Sequence, residues 1–173
     1  MKNIKIIGLV FLALLLFTIP AKAADVKIAF ANLQKALNEC EAGKKAKDTL
    51  ADEAKKLEDE LSAKQEELKK MKDEIDKKGK VWNAETKAAK EKAFKEKSQD
   101  FQKKFVQYGE DLNKRKQEIE SNIIQGLRDT VEEIAKKKGY TYVFEKSVGG
   151  LLYAPAEADL TNDVIKAFNS KKK

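Results

Sequence analysis

The chain has 173 residues, with 36 Lys and Arg against 29 Asp and Glu, no His and a single Cys. Without a His, Cys40 has no imidazole base, which argues against nucleophilic catalysis, and a lone thiol excludes an internal disulfide. Basic side chains are almost all Lys, with Arg115 and Arg128 the exceptions; Lys lacks the planar fork that reads bases and phosphates, so specific nucleic-acid recognition is not expected.

Lys2 and Lys5 precede an apolar run, Ile6 to Ile19, broken by Gly8 and Thr18. Pro20 and the small-residue motif Ala21-Lys22-Ala23 follow. This is the pattern of a secretory signal peptide cleaved after Ala23. The run is shorter than the roughly 20 residues of a membrane span, so residues 1–23 read as a leader rather than an anchor. Cys40 is too far downstream to be lipidated at the cleavage point. Its thiol is left buried, reactive or paired between chains, a partly buried thiol being the simplest reading. Loss of Lys2, Lys5 and Lys22 leaves 33 basic residues against 29 acidic ones, so the mature net charge is modest, about +4.

Val26 to Phe30 is a short β-rich run with large apolar residues at 26, 28 and 30, which predicts a half-buried strand near 26–30. From about Asn32 to Lys138 there is no Pro, and Glu, Lys, Ala, Gln and Leu dominate, as in a long helix. A straight helix of that length, rising 1.5 Å per residue, would hold the chain's two ends on the order of 160 Å apart, so it must turn back. Apolar positions Leu50, Ala54, Leu57, Leu61 and Leu68 mirror Leu112, Tyr108, Phe105, Phe101 and Phe94 about Val81. The axis falls in the one break of the charged pattern, which holds Gly79, Trp82 and Asn83. An antiparallel helical hairpin is expected over 43–119, with its tip near 78–86.

Four rings, Phe94, Phe101, Phe105 and Tyr108, are concentrated on the returning arm. At helical spacing they are expected chiefly to pack against the other arm. A two-helix hairpin is too thin to cover them fully, so they remain, with Trp82 at the tip, candidates for contact with a guest. Residues 41–76 carry twelve acids and nine lysines, whereas 77–104 carry ten lysines and four acids. Lys77, Lys78, Lys80, Lys87 and Lys90 therefore read either as a solvated face or as a basic tip for acidic clients or anionic headgroups.

Gly139 after three lysines is a helix stop. Residues 140–144 and 151–154, separated by a Gly-containing turn, predict a β-hairpin. Leu160, Val164 and Phe168 give one apolar face to a last helix near 160–168, capped by Asp159 or Thr161. A body of residues 24–42 and 120–173 would then carry the arm. Its short strands and small helix make little core, so oligomerisation through the β elements is expected. No phosphate-binding loop or metal-ligand cluster is evident, and neither cofactor nor catalytic residue is expected.

The stretches "VKIAFANLQKAL", "EAGKKAKDTL" and "KKKGYTYVFEKSVGGLLYAPAEADLTNDVIKAFN" resemble the opening and closing segments of the Skp/OmpH family of periplasmic chaperones. Asn32 stands where that family often has Asp. The resemblance implies an α+β homotrimer: a small β-barrel-like body with one long coiled-coil hairpin arm per protomer. It further implies an ATP-independent holdase that keeps unfolded outer-membrane β-barrel proteins soluble in a cavity between the arms. The alternative reading is a cationic coiled-coil protein that binds lipopolysaccharide, an anionic membrane surface or a folded partner.

Overall fold

The computed structural model describes residues 26–148 and 150–171; the expected leader, 1–23, lies outside them. Strand β1 (Ile28–Ala31) is followed by helices α1 (Leu33–Glu39), α2 (Glu41–Lys78) and α3 (Ala84–Lys138), strand β2 (Tyr142–Glu145), a short 3-10 turn at Ala156–Ala158, and helix α4 (Thr161–Lys171).

The two strands pair in parallel, with Ile28 opposite Tyr142 and Ala31 opposite Glu145. Parallel pairing needs a long crossover, and here the whole of α1, α2 and α3 is that crossover. This overturns the expected hairpin between 140–144 and 151–154. Residues 150–155 form no strand within the chain, and β2 pairs with β1 instead. A turn at 145–148, fastened by the Glu145 side chain, sends the chain away from β2. The first strand also begins later than expected, at Ile28.

The long helix does not run unbroken from Asn32. Asn32 caps α1 by accepting from the Lys35 N–H at 2.7 Å. Cys40 is then extended (φ −70°, ψ 154°), and its sulfur accepts from the Gly43 N–H at 3.3 Å to cap α2. Gly43 is required at this corner, because a Cβ there would lie 1.7 Å from the Leu37 carbonyl oxygen. At the far end the chain reverses through 79–83, and the Asn83 side chain accepts from the Thr86 N–H at 2.8 Å to start α3. Gly139 ends α3 in the left-handed region at φ 71°, with the Tyr140 N–H bonded to the Ala135 carbonyl.

The core lies where α1, the base of α3 and α4 meet β1. Leu33, Leu37, Cys40, Ile123, Leu127, Leu160, Val164 and Phe168 are buried together there. Phe168 sits directly over Gly126, where an added Cβ would come within 2.8 Å of its ring. Asp159 Oδ1 accepts from the Thr161 N–H at the start of α4. Thr161 does not act as the cap; it is buried, and its hydroxyl accepts from the Asn32 N–H at 2.9 Å. Ion pairs from α3 to α4, Lys138 to Asp163 and Glu133 to Lys171, hold that helix near each end. Among the described residues no helix is long and apolar enough to cross a membrane.

Candidate functional site

The two long helices, α2 and α3, lie side by side as one arm. Four glutamates on α2, Glu53, Glu60, Glu67 and Glu74, recur at every seventh residue. Each reaches across the seam: Glu74 to Lys90 at 3.3 Å, Glu67 to Lys97, Glu60 to the Tyr108 hydroxyl at 2.8 Å, and Glu53 to Arg115 at 3.6 Å. Lys64 and Asp100 add a fifth link at 3.6 Å. The Lys97 hydrogen bond holds the Glu67 carboxyl below the usual carboxylate range, while the Glu60 hydrogen bond raises the Tyr108 phenol. Exposed links of this kind contribute little singly. Their value is register, since each donor meets its acceptor at one alignment of the helices.

The alignment changes partway along. Midpoints of Glu74/Lys90, Glu67/Lys97 and Lys64/Asp100 all fall at residue 82, whereas those of Glu60/Tyr108 and Glu53/Arg115 fall at residue 84. The change coincides with an open groove of about 500 Å³ lined by Ala54, Leu57, Leu61, Phe101, Phe105 and Leu112. Four of the five candidate rings occupy the arm, but not equivalently. Phe94, Phe101 and Tyr108 are half-buried in the seam. Phe105 is 62 % exposed and tilts against Phe101, with ring centroids 6.4 Å apart. Val106 beside it is also exposed. The mirror about Val81 placed Phe105 against Leu57 as a packing residue; the helix in fact turns most of that ring outward.

At the tip, Trp82 is half-buried beneath Lys90, whose ammonium lies 5.8 Å from the ring centroid. Lys78 pairs with Glu74 at 3.8 Å and Lys87 with Glu91 at 3.9 Å. The basic tip is therefore partly neutralised. Among the described residues Lys77 and Lys80 carry no such pair, and Val81 between them and Trp82 is 80 % exposed.

Sequence reasoning missed Val106 and the glutamate ladder. Val106 is separated from the seam by a single residue step and carries no periodic signal of its own. The ladder did have one, the sevenfold spacing of its glutamates. No group of three or more potential metal ligands occurs among the described residues.

The body presents a second apolar surface. Ile28, Tyr142 and Phe144 project from one face of the sheet and are about half exposed; Val148 and Tyr153 are more so, and Leu152 is fully exposed.

Residues 27–168 match the family described as "Outer membrane protein (OmpH-like)". A Skp-like protein of Pseudomonas aeruginosa is 30% identical over 157 residues, covering 87% of this chain and 88% of that protein. In fold, the chain is similar to the crystal structure of a candidate outer membrane chaperone (OmpH-like) from Caulobacter crescentus, with a TM-score of 0.79, 15% identity and 86% of each chain covered. With both strands, the arm and most of the terminal helix inside the matched span, the chain belongs to the Skp/OmpH family.

Proposed function

We propose that the protein is a periplasmic holdase chaperone that works without nucleotide, binding unfolded outer-membrane β-barrel proteins between the arms of a homotrimer. The observation that carries this reading is the half-open seam. A two-helix arm leaves Phe105 and Val106 outward and Phe101 at the lip of an apolar groove, and such a surface offers weak, sequence-tolerant contacts. Membership of a chaperone family supports the class of function. Trimerisation is supported by the body: a two-stranded sheet is too small to stand alone, and its exposed apolar residues need cover.

The test is dilution of a urea-unfolded outer-membrane protein into buffer with stoichiometric amounts of the purified protein. Suppressed light scattering is expected; undiminished aggregation would remove the holdase reading. A second reading, attachment to an anionic membrane or lipopolysaccharide surface, is favoured by exposed Val81 between Lys80 and Trp82, with Lys77 nearby. Co-sedimentation with anionic but not neutral vesicles, in the absence of client, would support it.

A further inference from the structure

One carboxylate joins three parts of the body. Glu145, the last residue of β2, stands opposite Ala31 at the end of the sheet. Its Oε1 accepts from the Leu33 N–H at 3.0 Å, at the start of α1, and from the Ser147 hydroxyl at 2.6 Å. Its Oε2 accepts from the Val148 N–H at 2.7 Å. Burial alone would raise this carboxyl, but hydrogen bonds from the Ser147 side chain and from the backbone of Leu33, Ser147 and Val148 outweigh it and hold the group below the usual range. Other charged groups nearby are Arg128 and Glu132 of α3, which line the same groove of about 350 Å³, and Lys146, whose ammonium lies over the Phe30 ring at 4.9 Å. Glu132 is engaged by Lys136 at 2.5 Å.

The segment that leaves Glu145 is unlike the rest of the chain. From Ser147 to Ala156 it carries no charge. Val148 is 86 % exposed and Leu152 100 % exposed, and residues 150–155 pair with no strand of their own chain. Among the described residues the sheet beside it keeps one open edge, that of β2; the outer edge of β1 is bridged to Asp159, with the Leu160 N–H bonded to the Phe30 carbonyl at 2.8 Å. Each copy thus offers both an exposed apolar segment and the open edge of β2, so a second copy supplies the complement of each.

We propose that Glu145 is a positioning residue for self-assembly: its carboxylate fixes the direction in which the chain leaves the sheet at Ser147 and Val148, and so presents Val148 and the apolar residues that follow in sequence, Leu152 and Tyr153, to a neighbouring protomer. This rests on the trimeric reading above. The buried core of α1, α3, α4 and β1 does not depend on it, because Leu127, Leu160, Val164 and Phe168 are packed by the helices.

The test uses the mature protein and two variants, followed by sedimentation velocity across concentration and by circular dichroism. Glu145→Gln keeps an oxygen for the Leu33 N–H but sets an amide N–H₂ against the Val148 N–H. Glu145→Ala removes both contacts. Helicity should be retained in each, while the midpoint concentration for assembly rises about ten-fold for Gln and further for Ala. The pH profile separates positioning from packing. Because the folded carboxyl is depressed, its contribution is present above the ordinary Glu value of 4.5 and is lost as pH falls through the lower folded value. Wild-type assembly should therefore weaken on acidification below that value more steeply than Glu145→Gln assembly. Variants that assemble as tightly as wild type would overturn the proposal, as would a Gln variant that loses its helicity. A wild type that is itself monomeric would instead remove the trimeric reading on which it rests.

Discussion

Body and arm hold themselves together in different ways. In the body, β1, α1, the base of α3 and α4 bury a shared apolar cluster, with Leu127 and Val164 wholly inaccessible. In the arm, α2 has no buried residue among its 38, and α3 buries only Ile123, Leu127 and Thr130, all near its base. The arm relies on helix propensity, caps, a half-covered seam and a ladder of exposed polar links. The difference teaches that cohesion and reach have been separated: the body supplies stability, and the arm spends little of it to expose apolar surface.

The largest effect expected from breaking this division is in the body. Leu127→Ala should destabilise by about 2–5 kcal/mol, the usual cost of emptying a fully buried Leu site, and urea unfolding should show the whole transition shifting. Leu61→Ala, in the half-covered seam, should cost clearly less and lower arm helicity without dispersing the body. Equal costs would mean that the arm is a second core. Next comes the double variant Phe101→Leu, Phe105→Leu. Apolar swaps of this kind cost less than about 1.5 kcal/mol, so melting should move little. Client affinity should fall several-fold, because aromatic contact exceeds simple area burial. Unchanged affinity with intact helices would leave the rings as packing alone.

Smaller again is the effect of changing Lys77, Lys78, Lys80 and Lys87 to Gln. Exposed charge steers encounter more than it holds, so client association should slow and lose part of its salt dependence, with dissociation little altered. Stopped-flow association at low and high salt reads both. Smallest is Glu67→Gln. Lys97 holds this carboxyl below the ordinary value of 4.5, so its cross-link persists above that value and is lost as pH falls through the lower folded one. The variant should lack a slight part of the acid-side change in arm helicity that wild type shows by circular dichroism.

The parts legible in the sequence are those governed by local rules. Gly139 stops α3 because only a left-handed residue suits that place, and Leu160, Val164 and Phe168 declare their common face by a spacing of four. The mirror of the two arms about Val81 came within a few residues of the observed midpoints at 82 and 84. What escaped has two causes, an unexpected local role and contacts distant in the chain. The corner at Cys40 arises from its sulfur serving as a cap, a role the residue type does not advertise. Strand pairing depends on distant contacts: residues 140–144 and 151–154 look like a hairpin locally, but the partner of β2 is separated from it in the chain by the whole arm. Spacing places Phe105 in the seam, but a periodic stripe has a centre and a rim, and spacing alone does not say which ring is at the rim.

The parallel pairing of β1 and β2 has a consequence for the order of events in folding. Lys27 and Thr141 meet at a sequence separation of 114, a closure that would be slow and entropically costly for a disordered loop. The intervening chain is not such a loop. A hairpin can zip from its turn at 79–83 by contacts between near neighbours, and each step carries the two strand segments closer. The arm is thus its own splint during biogenesis, and the sheet is the last piece to close rather than the first. Residues 28–31 must wait, unpaired, until the arm has brought 142–145 back to them, which makes that brief interval the point at which the chain is most open to pairing with the wrong copy.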